Sequence, residues 1–136
     1  MSEPRIPGVL FLCTHNAGRS QMASGFTRSL GADHVRVFSG GSEPASQVNP
    51  SAVEVMREVG IDIANFVPQK WSMEMLHEVD VVVTMGCGDT CPYIPGKRYV
   101  DWPLDDPAGQ GVDAVRPIRD QIKTLVESLL EELGVR

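Results

Sequence analysis

The run Val9-Leu10-Phe11-Leu12 is apolar without interruption and too short for a helix, so it suits a strand buried on both faces. Val79 to Thr84 contains Val79, Val81, Val82 and Val83, a β-branched run that reads as a central parallel strand. Strands of that kind need a covering layer on each side, and the intervening segments have helical spacing. From Ser20 to Leu30 the apolar residues Met22, Ala23, Phe26 and Leu30 recur every three or four positions, with Gly31 as the stop. Val35-Arg36-Val37-Phe38 alternates as another strand, closed by Ser39-Gly40-Gly41 and a polar loop through Asn49. Asn49 is placed to cap a helix with Pro50 at its first position and Val53, Met56 and Val59 as its apolar stripe before Gly60.

The remainder follows the same alternation. Residues 61–70 have no clear period, Ser72 can cap a short helix to His77, and Gly86 to Pro95 is loop by composition. Tyr99-Val100-Asp101-Trp102 is a short fourth strand, Pro103 to Gly111 is rich in turn residues, and Ile118, Ile122, Leu125, Leu129 and Leu133 mark a last helix from about Asp113 to Leu133. Strands alternating with helices imply right-handed crossovers, hence an α/β fold: a parallel four-stranded sheet flanked by helices. Ligands bind such sheets beyond the carboxyl ends of the strands, and both Cys13 and Cys87 fall on that edge.

The 136 residues fit one domain, 1–136, with no repeat or linker, and the length suffices for a core without disulfide staples. A net charge of −6 repels polyanions, which argues against nucleic acid and acidic membrane surfaces as partners. Any anionic ligand must therefore be captured locally. Met1-Ser2-Glu3-Pro4-Arg5 has neither the basic stretch nor the apolar run of a signal peptide, and no segment approaches the roughly 20 apolar residues of a membrane span, so a cytoplasmic location is the expectation. Three cysteines is an odd number, which points to reactive or metal-bound thiols rather than a disulfide scaffold.

Cys13-Thr14-His15-Asn16-Ala17-Gly18-Arg19-Ser20 lies between a buried strand and a helix start. A loop wrapping into a helix N-terminus points several backbone N–H groups at one centre, and the helix dipole adds positive potential there. Residues 14–20 thus make a cradle for a tetrahedral oxyanion. Arg19 closes it with a planar fork that donates to two oxygens at once, a match lysine cannot make. The same environment favours the thiolate at Cys13, the form in which cysteine is a nucleophile. Ser20 can donate to that sulfur, and Gly18 permits a backbone conformation a side chain would obstruct. A cysteine after a buried strand is on its own more often a plain core residue; strand, Arg19, Ser20 and helix together weigh against that.

The segment Val9 to Ala23 resembles the loop of low-molecular-weight protein tyrosine phosphatases and of their relatives, the thioredoxin-coupled arsenate reductases. Asn49-Pro50, Val81-Val82-Val83-Thr84-Met85, Cys91-Pro92, Trp102 and Asp105-Asp106-Pro107-Ala108-Gly109 resemble the reductase branch in order and approximate spacing, so the likeness covers nearly the whole chain. It implies a low-molecular-weight tyrosine phosphatase-like fold, attack by Cys13 on the oxyanion, and protonation of the leaving oxygen by Asp106, the aspartate that precedes a proline. In the reductase branch arsenate is the substrate, with phosphate or sulfate as mimics. The resemblance further implies a thiol–arsenate adduct on Cys13, a Cys13–Cys87 disulfide formed as arsenite leaves, and its transfer to Cys87–Cys91. No bound cofactor is required, only an external dithiol. Three residues, Gly88-Asp89-Thr90, separate the relay cysteines where a longer interval is expected, which bears on whether the donor is thioredoxin or a small thiol with a glutaredoxin-like partner. The presence of both downstream cysteines favours thioredoxin.

Other readings compete. Zinc would use Cys13, Cys87, Cys91 and either His15 or His77, but only one close cysteine pair exists and no metal site is expected. A phosphatase needs only water after the first step, yet its usual aromatic rim is missing beside Cys13, where Thr14 and His15 follow and Tyr93 and Tyr99 lie elsewhere. A phosphate-binding module would gain little from a reactive thiol. His15 is expected to point out of the loop, and Trp71 and Trp102 are expected in packing.

Overall fold

The computed structural model describes residues 6–85 and 94–135; Cys87 and Cys91 lie outside the described residues. The elements run β1 (Gly8–Cys13), α1 (Arg19–Gly31), β2 (Arg36–Gly41), α2 (Pro50–Glu58), α3 (Met73–Glu78), β3 (Val81–Thr84), β4 (Arg98–Asp101) and α4 (Val112–Glu132). Strand order is β2-β1-β3-β4 with every pair parallel, the sheet expected from the buried runs. No helix among the described residues is long and apolar enough to cross a membrane.

Alternate residues of β1 face opposite layers, as a strand's period of two requires. Val9, Phe11 and Cys13 join the larger core with Met22 and Phe26 of α1, Val55 and Met56 of α2, and Ile122 and Val126 of α4. Leu10 and Leu12 pack with Leu76, Val79 and Val82 on the other face, which α3 covers. Trp102 is buried in the larger core, its ring centroid 5.8 Å from that of Phe11, whereas Trp71 is half-buried against the smaller cluster. Each face of the sheet is thus closed, and the strand ends carry the polar residues.

Several boundaries differ from expectation for identifiable reasons. Gly31 is the last residue of α1 rather than its stop; the left-handed position is Ala32, with φ 45°, and Gly31 has no side chain because Val35 packs where its Cβ would be. The buried stripe of α2 is Ala52, Val55 and Met56, while Val59 is 42% exposed at the C-cap. Ser39-Gly40-Gly41 does not close β2 but forms its end, with Gly41 level with Cys13. Val79 caps α3, so β3 begins at Val81. Asn49 and Ser72 cap α2 and α3 through their side chains, as their sequence positions suggested.

Candidate active site

Cys13 is the last residue of β1, only 3% exposed, and the segment between it and α1 is held from outside. The carbonyl of Thr14 accepts from Glu43 N at 2.8 Å, that of His15 from Ala45 N at 2.9 Å, and that of Ala17 from Asn49 N at 2.8 Å. The Asn16 carbonyl accepts from Gln21 Nε2 at 2.8 Å. Four consecutive carbonyls, those of residues 14–17, are thus engaged by partners outside the loop. Gly18 is the N-cap of α1 and no side chain caps the helix, so the amides of its first turn are free for an anion.

Asn16 makes the loop's one sharp reversal, with φ 50°, a conformation asparagine tolerates better than most side chains. It is fully buried, and both ends of its side-chain amide are engaged. Oδ1 accepts from Gln69 N at 2.9 Å and Gln21 Nε2 at 3.2 Å, while Nδ2 donates to Ser20 Oγ at 2.7 Å. Ser20 Oγ lies 2.9 Å from Cys13 Sγ. With Asn16 donating to the hydroxyl oxygen, the Ser20 proton is available to donate to Cys13 when its sulfur is a thiolate.

Arg19 is 6% exposed and reaches across to the segment after β4. It donates from Nη1 to Leu104 O at 3.3 Å, and Nη2 stands 3.7 Å from Asp106 Oδ2. Asp106 is 53% exposed, and its Oδ1 accepts from Ala108 N at 2.9 Å, the turn expected of an aspartate two residues before a free amide. Pro107 is buried against Gly18: a Cβ on Gly18 would lie 2.5 Å from Pro107 Cγ. Gly18 therefore answers to this contact rather than to backbone freedom, since its φ is −122°.

These groups surround a cavity of about 460 Å³, lined among the described residues by Cys13, His15, residues 17–19, 45–51 and 106–110, with no Phe, Tyr or Trp. Cys13, Arg19 and Asp106 are thus brought together. Thr14, Asn16 and Ser20 stand behind the lining instead of on it, and Asp105 does not line it. His15 is exposed at the cavity, its Nδ1 3.0 Å from Glu43 O. His77 belongs to a separate groove with Phe38 and Met75, remote from His15's cavity. Among the described residues no group of three His, Cys, Asp or Glu is placed to hold a metal. The parts of the site beyond sequence reasoning are the strap of residues 43–48, Gln21, Gln69 and Gly41; of these only Gly41 had a signal, a glycine beside an alternating strand, which marks close backbone approach.

The family model described as low molecular weight phosphotyrosine protein phosphatase matches residues 8–136. A protein called arsenate reductase 2 from Staphylococcus epidermidis is 44% identical over 124 residues, which cover 88% of this chain and 93% of that one. One called glutaredoxin arsenate reductase from Synechocystis is 39% identical over 129 residues, 93% and 98% of the two chains. Among solved structures, a thioredoxin-dependent arsenate reductase of Corynebacterium glutamicum superposes with a TM-score of 0.84 at 36% identity, covering 98% of this chain and 65% of that one, so this chain spans somewhat under two thirds of its length.

Proposed function

The chain belongs to the low molecular weight phosphotyrosine protein phosphatase family, and from that membership we propose that it reduces arsenate to arsenite. The observation that carries the proposal is the buried sulfur of Cys13, hydrogen-bonded to Ser20 in a cavity that Arg19 and Asp106 also line. The described lining holds no Phe, Tyr or Trp to stack on a phosphotyrosine, and the sequence holds two further thiols that a hydrolase would not need. The names of the relatives point the same way.

In this reading the thiolate of Cys13 attacks arsenic(V), one oxygen leaves as water with a proton from Asp106, and Arg19 with the helix amides holds the remaining oxygens. Cys87 then attacks the sulfur of Cys13. A sulfur–sulfur bond forms, the sulfur–arsenic bond breaks, and its electron pair stays on arsenic, which departs as arsenite in the trivalent state. Cys91 attacks Cys87 in turn, releasing Cys13 as thiolate, and an external dithiol reduces the Cys87–Cys91 bond. Thioredoxin is the donor this scheme favours, because it leaves the oxidation on a pair of protein cysteines. The Synechocystis relative supports a second reading in which a glutaredoxin serves.

The test is NADPH oxidation driven by arsenate with thioredoxin and thioredoxin reductase, abolished by Cys13→Ser. If arsenate drives none with thioredoxin or with glutaredoxin and a small thiol, while an aryl phosphate is hydrolysed rapidly, the protein is a phosphatase.

A further inference from the structure

Asn49 makes bonds to three parts of the site. Its backbone N–H donates to Ala17 O of the oxyanion loop at 2.8 Å. Its Oδ1 caps α2, accepting from Ser51 N at 2.8 Å and Ala52 N at 3.3 Å. Its Nδ2 donates to Pro107 O, in the segment that carries Asp106, at 3.2 Å. A cap uses only the side-chain oxygen, and serine or aspartate would serve equally well there. The amide nitrogen is what those residues lack.

We propose that Asn49 is a positioning residue that seats the Asp106 segment over the oxyanion loop, an inference that rests on reading Asp106 as the proton donor. Asp106 itself approaches the loop side through Arg19, at 3.7 Å. An oxyanion in the cradle competes for that guanidinium fork, so the acid needs an anchor that substrate does not disturb. Asn49 provides it by gripping the carbonyl of the next residue, Pro107, whose ring is wedged against Gly18. Ser51 Oγ adds a second grip from the same helix turn, donating to Gln110 O at 2.9 Å. The first turn of α2 thereby fixes the height of the acid above the sulfur.

Asn49→Ser retains a cap but cannot extend a donor to Pro107 while capping, whereas Asn49→Ala loses both. Hydrogen exchange reads the anchor without any activity. In Asn49→Ser the amides of Ala108 and Gln110 should exchange at least about 10-fold faster, while α2 amides keep their protection. Kinetics reads its purpose. Hydrolysis of phenyl phosphate, whose leaving group needs a proton, should lose about 10-fold more in kcat/KM than hydrolysis of 4-nitrophenyl phosphate, whose leaving group does not. Asp106→Asn should show the same selectivity, more strongly. Unchanged exchange at Ala108 and Gln110, or an equal loss on both esters, overturns the proposal. If Asp106→Asn itself shows no leaving-group selectivity, the role of Asp106 fails, and the exchange result still judges the anchor.

Discussion

The carbonyl oxygen of Thr14 lies where a Cβ on Gly41 would approach it to 2.6 Å, with Cys13 O at 2.9 Å and Asn16 N at 3.0 Å from the same point. All three neighbours are backbone atoms of the oxyanion loop, so none can rotate away. Gly41→Ala must push that loop off the end of β2. The expected result is a loss of about 1–3 kcal/mol in stability, typical of overpacking, and a rise of at least about 10-fold in KM for arsenate. Thermal unfolding and steady-state kinetics check both, and wild-type values would mean the contact yields.

Ser20→Ala removes the hydroxyl 2.9 Å from Cys13 Sγ and leaves Asn16 Nδ2 without its acceptor. A hydrogen bond to a charged group contributes roughly 1.5–3 kcal/mol. Alkylation of Cys13 by iodoacetamide, measured with Cys87 and Cys91 replaced by serine, should slow by about 10- to 100-fold at fixed pH. An unchanged rate would show that the hydroxyl does not support the thiolate.

Cys91→Ser should stop the relay after one turnover. Mass mapping should then find one equivalent of arsenite released and a disulfide joining Cys13 to Cys87. Multiple turnovers with thioredoxin, or a single turnover without that bond, would defeat the proposed order of thiol exchange.

Away from the cavity, Arg116 and Arg119 of α4 both donate to Glu58 at the end of α2. The hydrogen bonds from Arg116, opposed by partial desolvation and aided by Arg119, hold the Glu58 carboxyl well below the usual range, at about 2. A depressed carboxyl stabilises the fold above its unfolded pKa of about 4.3, and that contribution disappears as pH falls toward the folded value. Melting temperatures of the protein and of Glu58→Gln should therefore differ by a constant amount from about pH 5 to 7 and converge on acidification below about 4.3. A gap that widens in acid would contradict the assignment.

What the residues disclosed in advance was local. The uninterrupted apolarity of Val9 to Leu12 and of Val81 to Val83 required a doubly covered parallel sheet, and Asn49-Pro50 and Ser72 marked helix starts because a cap acts within three residues. Cys13, Arg19 and Ser20 were readable for the same reason, all lying within eight consecutive residues from the end of β1 to the start of α1. Gly40 and Gly41 read as the stop after a strand rather than as its last residues, because the atoms that crowd them, from Trp71 and from residues 13–16, lie far away in sequence. Gln21 and Gln69 escaped notice likewise: buried amides are indistinguishable in sequence from surface ones. Val59 had the period of a buried residue, but the helix ended before it turned inward.

The four carbonyls of residues 14–17, each already held by a partner beyond the loop, mean that the receptacle is assembled before any guest arrives. A rigid receptacle cannot tell arsenate from phosphate by folding around one of them, because both are tetrahedral and similar in charge. Selectivity then belongs to the later electron transfer, since arsenic(V) on sulfur accepts two electrons from a thiol and phosphorus(V) does not. Phosphate should accordingly act as a competitor for the empty seat, slowing capture of arsenate without being consumed by reduction.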